Sequence, residues 1–391
     1  MVKAIKVMLI PNNVQKTKMF QYAGASRFAY NWALAREKEN YEKGGKFISD
    51  SELRKEFTKL RHSDEYAWLL NISNNVTKQA IKDACTAYKN FFKGLQKFPR
   101  FKSRKRSMPK FYQDNVKIQF SNTHVKLEGF SSSRKANKQK KNWVRLAEHG
   151  RIPTDVKYMN PRISFDGLNW WISVCVEFPN CKETLNDDGV GIDLGIKDLA
   201  VCSDAVKYKN INKSQKVKKL EKQKRRLQRS ISRSYEKNKK GESYCKTNNV
   251  IKKEKLLLKR NHRLTNIRKN YLNQTISEIV NRKPRFICIE DLNVSGMMKN
   301  RHLSKAVQQQ GFYEFRRQME YKSEWNNIQV IIADRFFPSS KLCSCCGKIK
   351  KDLKLSERIY KCECGNVVDR DLQAALNLKK YGEDVLKRSV A

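Results

Sequence analysis

Two closely spaced cysteine pairs constrain the fold of this chain more than any other feature. The stretch KLCSCCGKIKKDLKLSERIYKCECGNVVDRD, residues 341–371, holds five of the eleven cysteines. The spacing of four of them along the sequence suits tetrahedral zinc: Cys343, Cys346, Cys362 and Cys364. A redox C-x-x-C motif is the alternative, but it would open a helix in a strand–helix–strand context, which is missing. The other six cysteines, Cys181 among them, are expected to be ordinary thiols.

Three carboxylates stand where charged side chains are rare. GVGIDLG places Asp193 in an apolar strand, and FICIEDL places Glu290 at the end of another. Removing a carboxylate from water costs several kcal/mol unless something compensates, and a divalent cation with oxygen ligands does so. Asp369 and Asp371 begin a predicted helix, Asp369 as N-cap and Asp371 in the first turn. Asp193, Glu290 and Asp371 could hold two Mg²⁺ ions about 3.5–4 Å apart, an arrangement suited to phosphodiester hydrolysis.

Each carboxylate also has an ordinary structural interpretation. Asp193 could be a turn residue, and Glu290 could pair with a lysine. Asp371 could simply interact favourably with the helix dipole. The combination favours the metal site, because the order strand–turn–strand, strand and helix is that of an RNase H-like sheet. Three further carboxylates are expected to be surface or turn residues: Asp198, Asp204 and Asp291.

The chain carries a large positive charge. Its 391 residues include 83 Lys and Arg against 39 Asp and Glu, a formal net charge of +44. Because such a surplus repels itself, nucleic acid is the natural partner, with ribosomal or membrane-surface binding as the alternative. Residues 206–270 contain 24 basic and four acidic residues, which predicts two basic helices in contact with nucleic acid.

The pattern of apolar residues predicts a mixed α/β protein. A strand is expected over 2–11, helices over 14–94, and a hairpin around Asp166 and Gly167. Further along, a helix is expected over 301–326 and a last one from DLQAALNL. The sequence has no apolar run of 18 residues and no signal-peptide pattern, which favours a cytoplasmic protein without a membrane partner.

Taken together, the motifs resemble one family. GIDLGIKDLAV, IEDLNVSGM and DRDLQAALNL are similar to the three RuvC motifs of TnpB proteins, transposon-encoded RNA-guided DNA endonucleases. FFPSSKLCSCCG and CECG resemble the zinc knuckle of the family, FPRFKSRK its N-terminal half, and the likeness covers nearly the whole chain. The match gives Asp193, Glu290 and Asp371 the catalytic, magnesium-binding roles and leaves Cys345 as a bystander. Gln373 stands where the family usually has asparagine, so the resemblance does not predict the side-chain geometry around this position.

The resemblance implies an α/β multidomain architecture. An RNase H-like RuvC nuclease domain with an inserted structural zinc knuckle would follow a small β-barrel (wedge) domain that carries a helical recognition insertion. The predicted boundaries are 1–13 and 98–185 for the wedge domain, 14–97 for the insertion, 186–391 for the nuclease domain, 206–270 for its basic helices and 338–366 for the knuckle.

The resemblance also implies a guide RNA, a short flanking motif read by the protein, and double-stranded target DNA that is cut. Glutamine suits adenine and lysine suits guanine or phosphate, so Lys78, Gln79 and Lys82 are candidate readers on the helix over 74–92. An ordinary exposed face is the alternative for these three. Backbone contacts, which cannot distinguish RNA from DNA, are expected from Arg100, Lys102, Arg104, Lys105, Arg106, Lys224, Arg225, Arg226 and Arg229.

Three other functions fit parts of the sequence. A miniature type V CRISPR effector would share the chemistry but use a different RNA. An RNA-guided DNA-binding regulator without cleavage should have lost one of the three carboxylates, and all three are present. A strand-transferring transposase usually has its carboxylates in the order Asp, Asp, Glu, whereas the order here is Asp, Glu, Asp.

Overall fold

The chain divides into two compact units, Met1–Pro179 and Asn180–Ala391. The structure is a computed structural model that describes residues 1–130, 143–179, 184–354 and 356–390. Cys181 and its neighbours in 180–183, which the sequence assigns to the end of the wedge domain, lie outside the described residues. None of the described helices combines the length and the apolar character needed to cross a membrane.

A seven-stranded antiparallel sheet forms the β part of the first unit. Its strands are β1 (Val2–Ile10), β2 (Lys110–Tyr112), β3 (Gln119–Phe120), β4 (His124–Lys126), β5 (Val144–Leu146), β6 (Tyr158–Phe165) and β7 (Trp170–Glu177). The strand order is β2-β6-β7-β1-β5-β4-β3. In the described part of the chain no pairing joins β2 to β3. The sheet is therefore open at these edges, where the sequence predicts a barrel.

The predicted hairpin at Asp166 and Gly167 is confirmed between β6 and β7. The Asp166 carboxylate accepts hydrogen bonds from the backbone N–H groups of Leu168 (2.9 Å) and Asn169 (2.7 Å), and from the indole of Trp171 (2.7 Å). Gly167 has φ of +95°, which favours glycine. A short polar side chain that bonds the backbone ahead of it is a common way to close such a turn.

Three α-helices and a 3₁₀ helix cover the sheet of the first unit. They are α1 (Asn13–Glu42), α2 (Asp50–Arg61), the 3₁₀ helix Asp64–Asn71 and α3 (Asn74–Phe92). Capping boxes at Asn12 and Ser49 start α1 and α2, and Gly44, at φ +72°, follows the end of α1. Helix residues such as Met19 and Ile81 share one hydrophobic core with sheet residues such as Ile172.

A five-stranded mixed sheet organises the second unit. Its strands are β8 (Val190–Leu194), β9 (Asp198–Cys202), β10 (Lys207–Lys209), β13 (Phe286–Glu290) and β14 (Gln329–Ala333). The order is β10-β9-β8-β13-β14, with β8, β13 and β14 parallel and the other pairs antiparallel. Two small antiparallel pairs stand apart: β11 (Lys239–Lys240) with β12 (Ser243–Tyr244), and β15 (Ile359–Lys361) with β16 (Val367–Asp369).

Six α-helices accompany the sheet in the described part of the second unit: α4 (Gln215–Lys237), α5 (Asn248–Asn281), α6 (Val294–Lys299), α7 (Ser304–Gln310), α8 (Phe312–Trp325) and α9 (Arg370–Val390). The two predicted basic helices are confirmed as α4 and α5. The single helix predicted over 301–326 is wrong. Gly311 adopts φ of +72°, and this left-handed residue ends α7 before α8 begins.

Helix α9 lies directly on β8, and a glycine makes that approach possible. A Cβ atom at Gly191 would lie 2.1 Å from the carbonyl oxygen of Ala375 and 2.3 Å from the backbone nitrogen of Lys379. Both atoms belong to the helix backbone, which cannot rotate away as a side chain can. Gly191 therefore sets the distance between α9 and the sheet.

We predict that Gly191→Ala destabilises the second unit. The added methyl group forces α9 away from β8, and overpacking of this kind costs about 1–3 kcal/mol or more. Denaturant unfolding measures the effect. Gly24→Ala is the control, since a Cβ there meets nothing within 4 Å and alanine favours the helix by about 0.5–1 kcal/mol. An unchanged unfolding free energy for Gly191→Ala would contradict the contact.

Candidate metal centres and nucleic-acid surfaces

The two strand carboxylates are neighbours on the face of the sheet that α9 covers. β8 and β13 pair in parallel, in a register that places Asp193 beside Glu290 at the carboxyl ends of the strands. Side chains alternate between the two faces of a strand. Asp193 therefore shares its face with Gly191, on which α9 packs, and Glu290 shares its face with Cys288, which packs in the core formed with α9.

Asp371 approaches the same face from the first turn of α9. Asp369 caps the helix as predicted: its Oδ1 accepts hydrogen bonds from the N–H groups of Asp371 (2.9 Å) and Leu372 (3.3 Å). Residues four apart lie on one side of a helix, so Asp371 is on the side of Ala375, whose backbone touches β8. The charges that act on Asp193 are, from the largest effect down, those of Glu290, Asp371, Arg370 and Asp369, so Asp371 is near enough to influence Asp193 electrostatically.

Burial makes the carboxylates of Asp193 and Glu290 hard to ionise. It raises the pKa of Asp193 well above its ordinary range, and the charges of Glu290 and Asp371 raise this pKa further. Burial also raises the pKa of Glu290, whereas a hydrogen bond from the Ser339 hydroxyl, 2.5 Å from Oε1, lowers it. A divalent cation would relieve both the burial cost and the mutual repulsion. The carboxylates are less tightly gathered than the cysteines described below.

We predict that Asp193→Asn stabilises the metal-free protein at neutral pH. Because folding raises the pKa of Asp193, the folded protein binds this proton more tightly than the unfolded chain does. Stability therefore falls as pH rises from the unfolded value, about 4, through the higher folded value. We expect Asp193→Asn to unfold about 2–4 °C above the native protein at pH 7 in EDTA, with the difference shrinking as the pH approaches about 4.

Asp291→Asn is the matched control, and its expected effect on stability at neutral pH has the opposite sign. Hydrogen bonds from Arg335 and Arg316 lower the pKa of Asp291, so its charge contributes stability at neutral pH that is lost on acidification. Thermal unfolding of both variants in EDTA makes the comparison. A melting temperature of Asp193→Asn below that of the native protein at pH 7 would contradict the electrostatic account.

The four predicted cysteines form one cluster. The sulfurs of Cys343 and Cys364 are 3.7 Å apart and those of Cys346 and Cys362 are 3.6 Å apart. All four sulfurs lie within 4.8 Å of one another, the only such group of possible metal ligands among the described residues. A zinc–sulfur distance of about 2.3 Å places tetrahedral ligands about 3.8 Å apart, whereas a disulfide measures about 2.05 Å. The cluster can therefore hold one zinc ion.

The surroundings favour a thiolate at Cys343. Burial raises its pKa, but hydrogen bonds from the backbone N–H of Cys346, the side chain of Asn366 and the backbone N–H of Cys345 outweigh burial and lower it to about 6. The thiolate is the form that binds metal. Cys345 is exposed and its sulfur is not part of the cluster.

Gln373 connects the cysteine cluster to α9. Its side chain is fully buried; Nε2 donates to the carbonyl of Leu342 (2.6 Å), and Oε1 accepts from Ser344 (3.0 Å) and Asn366 (3.3 Å). Asn366 in turn donates to the sulfur of Cys343 at 3.5 Å. The glutamine thus satisfies its hydrogen bonds inside this corner.

Sequence reasoning missed two residues that support the carboxylates. Ser339, which is buried, donates to Glu290, and the buried Asn377 of α9 donates to the carbonyls of Ser339 and Leu342, both at 2.7 Å. The strand before Ser339 and the helix that carries Asn377 are visible in the sequence. Their contact is not, because 38 residues separate them.

We predict that the purified protein contains about one zinc ion per chain, and that Cys343→Ser removes it. The variant keeps three sulfurs, and serine is a poor substitute for a thiolate. Metal analysis by mass spectrometry measures the zinc content. Cys345→Ser is the control and should keep its zinc; loss of zinc in both variants, or in neither, would contradict the assignment of the four ligands.

The candidate readers of the first unit differ in availability. Lys78 and Lys82 are exposed on α3. Gln79 is partly buried, and its amide donates to Asp83 Oδ1 at 2.9 Å. Asp83 also binds Arg162 through two hydrogen bonds of 2.5 and 3.0 Å. One amide N–H of Gln79 is therefore already used within the protein, and the two lysines are the freer groups.

The basic loop after α3 presents four of its five predicted cations. Those exposed to solvent are Arg100, Arg104, Lys105 and Arg106. Lys102 differs: its Nζ lies 3.0 Å from the ring centre of Tyr30, and its backbone exchanges two hydrogen bonds of 2.8 Å with Asn31. Burial lowers the pKa of Lys102 to about 7. Lys102 thus anchors the loop to α1.

The predicted cations of the second unit lie on α4. Arg225, Arg226 and Arg229 are exposed, and Lys224 is partly buried. The carboxylates expected at the surface behave differently from the three candidate ligands: Asp204 pairs with Arg282, and Asp291 pairs with Arg316 and Arg335.

Family models match three parts of the chain. The model OrfB_IS605, "Probable transposase", matches residues 173–301, and "Cas12f1-like, TNB domain" matches residues 312–378. "Helix-turn-helix domain" matches residues 1–46, although this region folds as β1 followed by the single 30-residue helix α1. Among solved structures, "Cryo-EM structure of the Cas12f1-sgRNA-target DNA complex" has a similar fold, with a TM-score of 0.61, 14% identity, and coverage of 95% of this chain and 83% of that one.

Curated relatives match over nearly the full length. "Putative RNA-guided DNA endonuclease InsQ" of Escherichia coli (strain K12) is 31% identical over 402 residues, covering 98% of this chain and 93% of the relative. "Putative RNA-guided DNA endonuclease" of Streptomyces pristinaespiralis is 29% identical, covering 97% and 89%. A "TnpB-like protein L79" of Acanthamoeba polyphaga mimivirus is 35% identical over 144 residues. With such similarity along both whole chains, this protein belongs to the TnpB family of IS605-type transposon proteins.

Proposed function

We propose that this protein is an RNA-guided DNA endonuclease that cuts DNA at Asp193, Glu290 and Asp371. The observation that supports the proposal is the register that sets Asp193 beside Glu290, with Asp371 near enough for its charge to act on Asp193. Two full-length relatives named RNA-guided DNA endonucleases support the same activity. The likeness of fold to Cas12f1 agrees with it.

The second unit supports an RNase H-like RuvC assignment. Three antiparallel strands are followed by two parallel ones, and both strand carboxylates stand at carboxyl ends of central strands. We place the nuclease domain at residues 186–391, with the basic helices over 206–270 and the zinc knuckle over 338–366. The wedge domain (1–13 and 98–185) and its helical insertion (14–97) would read the motif that flanks the target.

The carboxylates fit Mg²⁺, which prefers carboxylate oxygens and leaves positions for water and phosphate. Bound there, a pair of such ions would make water a stronger nucleophile and neutralise the leaving oxygen. Asp193 and Glu290 present their oxygens from rigid strands, and Ser339 fixes the orientation of Glu290. Arg370 and Arg358, 3.6 and 3.9 Å from Asp371, add positive charge where the phosphate would lie.

The cation distribution supports nucleic acid as the partner. Exposed cations stand on α3, on the loop over 98–111 and on α4. Over the whole chain, 83 Lys and Arg residues outnumber 39 Asp and Glu residues. Phosphates of a guide RNA and of target DNA would balance this surplus. Base pairing with the RNA would select the target, and the protein would read only the flanking motif.

A miniature CRISPR effector is the second candidate, favoured by the TM-score of 0.61 to Cas12f1. Sequencing the RNA that co-purifies with the protein separates the two. A transposon-end sequence supports the TnpB function, whereas repeat-derived RNA supports the CRISPR function.

We predict that Asp193→Asn, Glu290→Gln and Asp371→Asn each slow DNA cleavage at least about 100-fold while RNA still co-purifies. Each change removes a metal ligand but leaves the basic surfaces intact. Cleavage of a plasmid library with a randomised flank, with Mg²⁺ and with EDTA, measures the effect. Asp204→Asn is the control, because Asp204 pairs with Arg282 at the surface and its loss should leave cleavage intact. Retained cleavage in the three variants overturns the assignment.

A further inference from the structure

A cleft in the second unit has unusual chemistry for an ordinary solvated surface. It lies between α4, α5, α7 and the start of α8, and has a volume of about 560 Å³. This volume is within the range of about 300–1,000 Å³ typical of small-molecule sites. The buried side chain of Leu272 forms an apolar part of its lining. The cleft contains none of the three carboxylates proposed for cleavage.

Positive charge is left over in this cleft. Its two carboxylates are engaged: Glu221 pairs with Arg268 at 2.8 Å, and Glu314 pairs with Arg317 at 2.8 Å. Four further cations line the cleft, and among the described residues none of them forms an ion pair; they are Lys224, Arg225, Lys269 and Lys305. Lys224 and Lys305 act electrostatically on Glu221, and Lys269 acts on Glu314. The five cations that line the cleft still outnumber its two carboxylates, so a bound anion would make the arrangement more favourable.

Side-chain amides lie beside these cations. Gln308 and Gln309, at the end of α7, line the cleft. Gln308 is exposed. The hydrogen bond of Gln309 is made by its backbone carbonyl, which accepts from the side chain of Asn212 at 3.2 Å. A free amide offers both a donor and an acceptor, the combination that reads the edge of a base. A phosphate could accept from the amide N–H groups, whereas the edge of a base can use both the donor and the acceptor.

We propose that this cleft holds one unpaired nucleotide of the bound RNA. Lysine and arginine side chains contact the phosphates on either side of the nucleotide, and Gln308 and Gln309 contact its base. RNA-binding proteins characteristically read bases that are splayed out of a helix in this way. The inference rests on the proposed function for the presence of an RNA, and it adds a site where the protein reads a base of that RNA.

RNA is the better occupant than the DNA that is cut. The DNA to be cleaved must reach Glu290, and Glu290 lines a different cleft with Phe312, Tyr313 and Arg316. The two clefts lie along α8 without sharing a lining residue. A resident RNA can occupy the basic cleft while DNA enters the other.

The test compares the native protein–RNA complex with the variant Gln308→Ala/Gln309→Ala. Chemical probing of base edges in the co-purified RNA, read by sequencing, reports each nucleotide separately. We expect the native complex to protect one unpaired base and the variant to expose that base about tenfold more, with other positions unchanged. Gln274→Ala is the matched control: Gln274 is an exposed glutamine of α5 outside the cleft, so its loss should change no position.

A second comparison tests the cations. Lys269→Gln/Lys305→Gln should weaken RNA binding about tenfold in a filter-binding assay. The slope of log K against log salt concentration should become shallower by about 1.4, since each lost phosphate contact contributes about 0.7. Lys255→Gln/Lys259→Gln removes the same charge from exposed positions of α5 outside the cleft. We expect only the first pair to deprotect the same nucleotide that the glutamine variant exposes.

The outcomes separate the two proposals. The single-nucleotide site is overturned if the glutamine variant protects the same RNA bases as the native protein, or if protection changes at many nucleotides. Either result leaves the proposed endonuclease function intact. Protection of a base in target DNA instead of RNA also overturns the single-nucleotide site. Absence of any bound RNA overturns the guide function together with this site.

Discussion

The contact between α9 and β8 is the constraint on which the candidate active site depends. The helix backbone can approach the strand only because position 191 has no side chain. That approach carries Asp371, at the start of α9, to the face where Asp193 and Glu290 already lie side by side. A longer distance would move Asp371 away from the other two carboxylates. The geometry of the site is thus set by packing, and its chemistry by the carboxylates that the packing gathers.

The cysteine cluster and the carboxylates are parts of one hydrogen-bonded structure. Asn366 contacts the sulfur of Cys343 and also Gln373 of α9, while Asn377 of the same helix holds the backbone of Ser339. Ser339 then donates to Glu290. A zinc ion at the cysteines would stiffen the segment that supplies Ser339 and that leads through β16 into α9. Structural metal would therefore act on the nuclease site by orienting its ligands, without touching the substrate.

The sequence predicts what local chemistry dictates. Paired cysteines and carboxylates in apolar strands are conspicuous wherever they occur, and the cap at Asp369 follows from the helix start. The break of the helix at Gly311 could have been predicted, because a glycine after a run of glutamines is a common helix end. Before the short strand β3, the Asp114 carboxylate accepts hydrogen bonds from the N–H groups of Val116 and Lys117 and turns the chain.

Contacts between distant segments were beyond sequence reasoning. Nothing near Lys102 in the sequence indicates that its side chain packs on Tyr30. Ser339 and Asn377 look like ordinary polar residues until the fold brings them together. The basic cleft depends on four helices that meet only in the folded chain, and its excess of cations is visible only once the ion pairs of Glu221 and Glu314 are known.

Two surfaces of the second unit carry unbalanced charge of opposite sign. At the sheet, Asp193 and Glu290 lie side by side and the charge of Asp371 acts on Asp193; in the cleft between α4, α5 and α7, four cations stand without an ion pair among the described residues. Neither arrangement favours the isolated chain, since like charges held close cost stability. On the proposed function, divalent metal relieves the repulsion among the carboxylates and nucleic acid that among the cations, so both ligands would stabilise the folded chain.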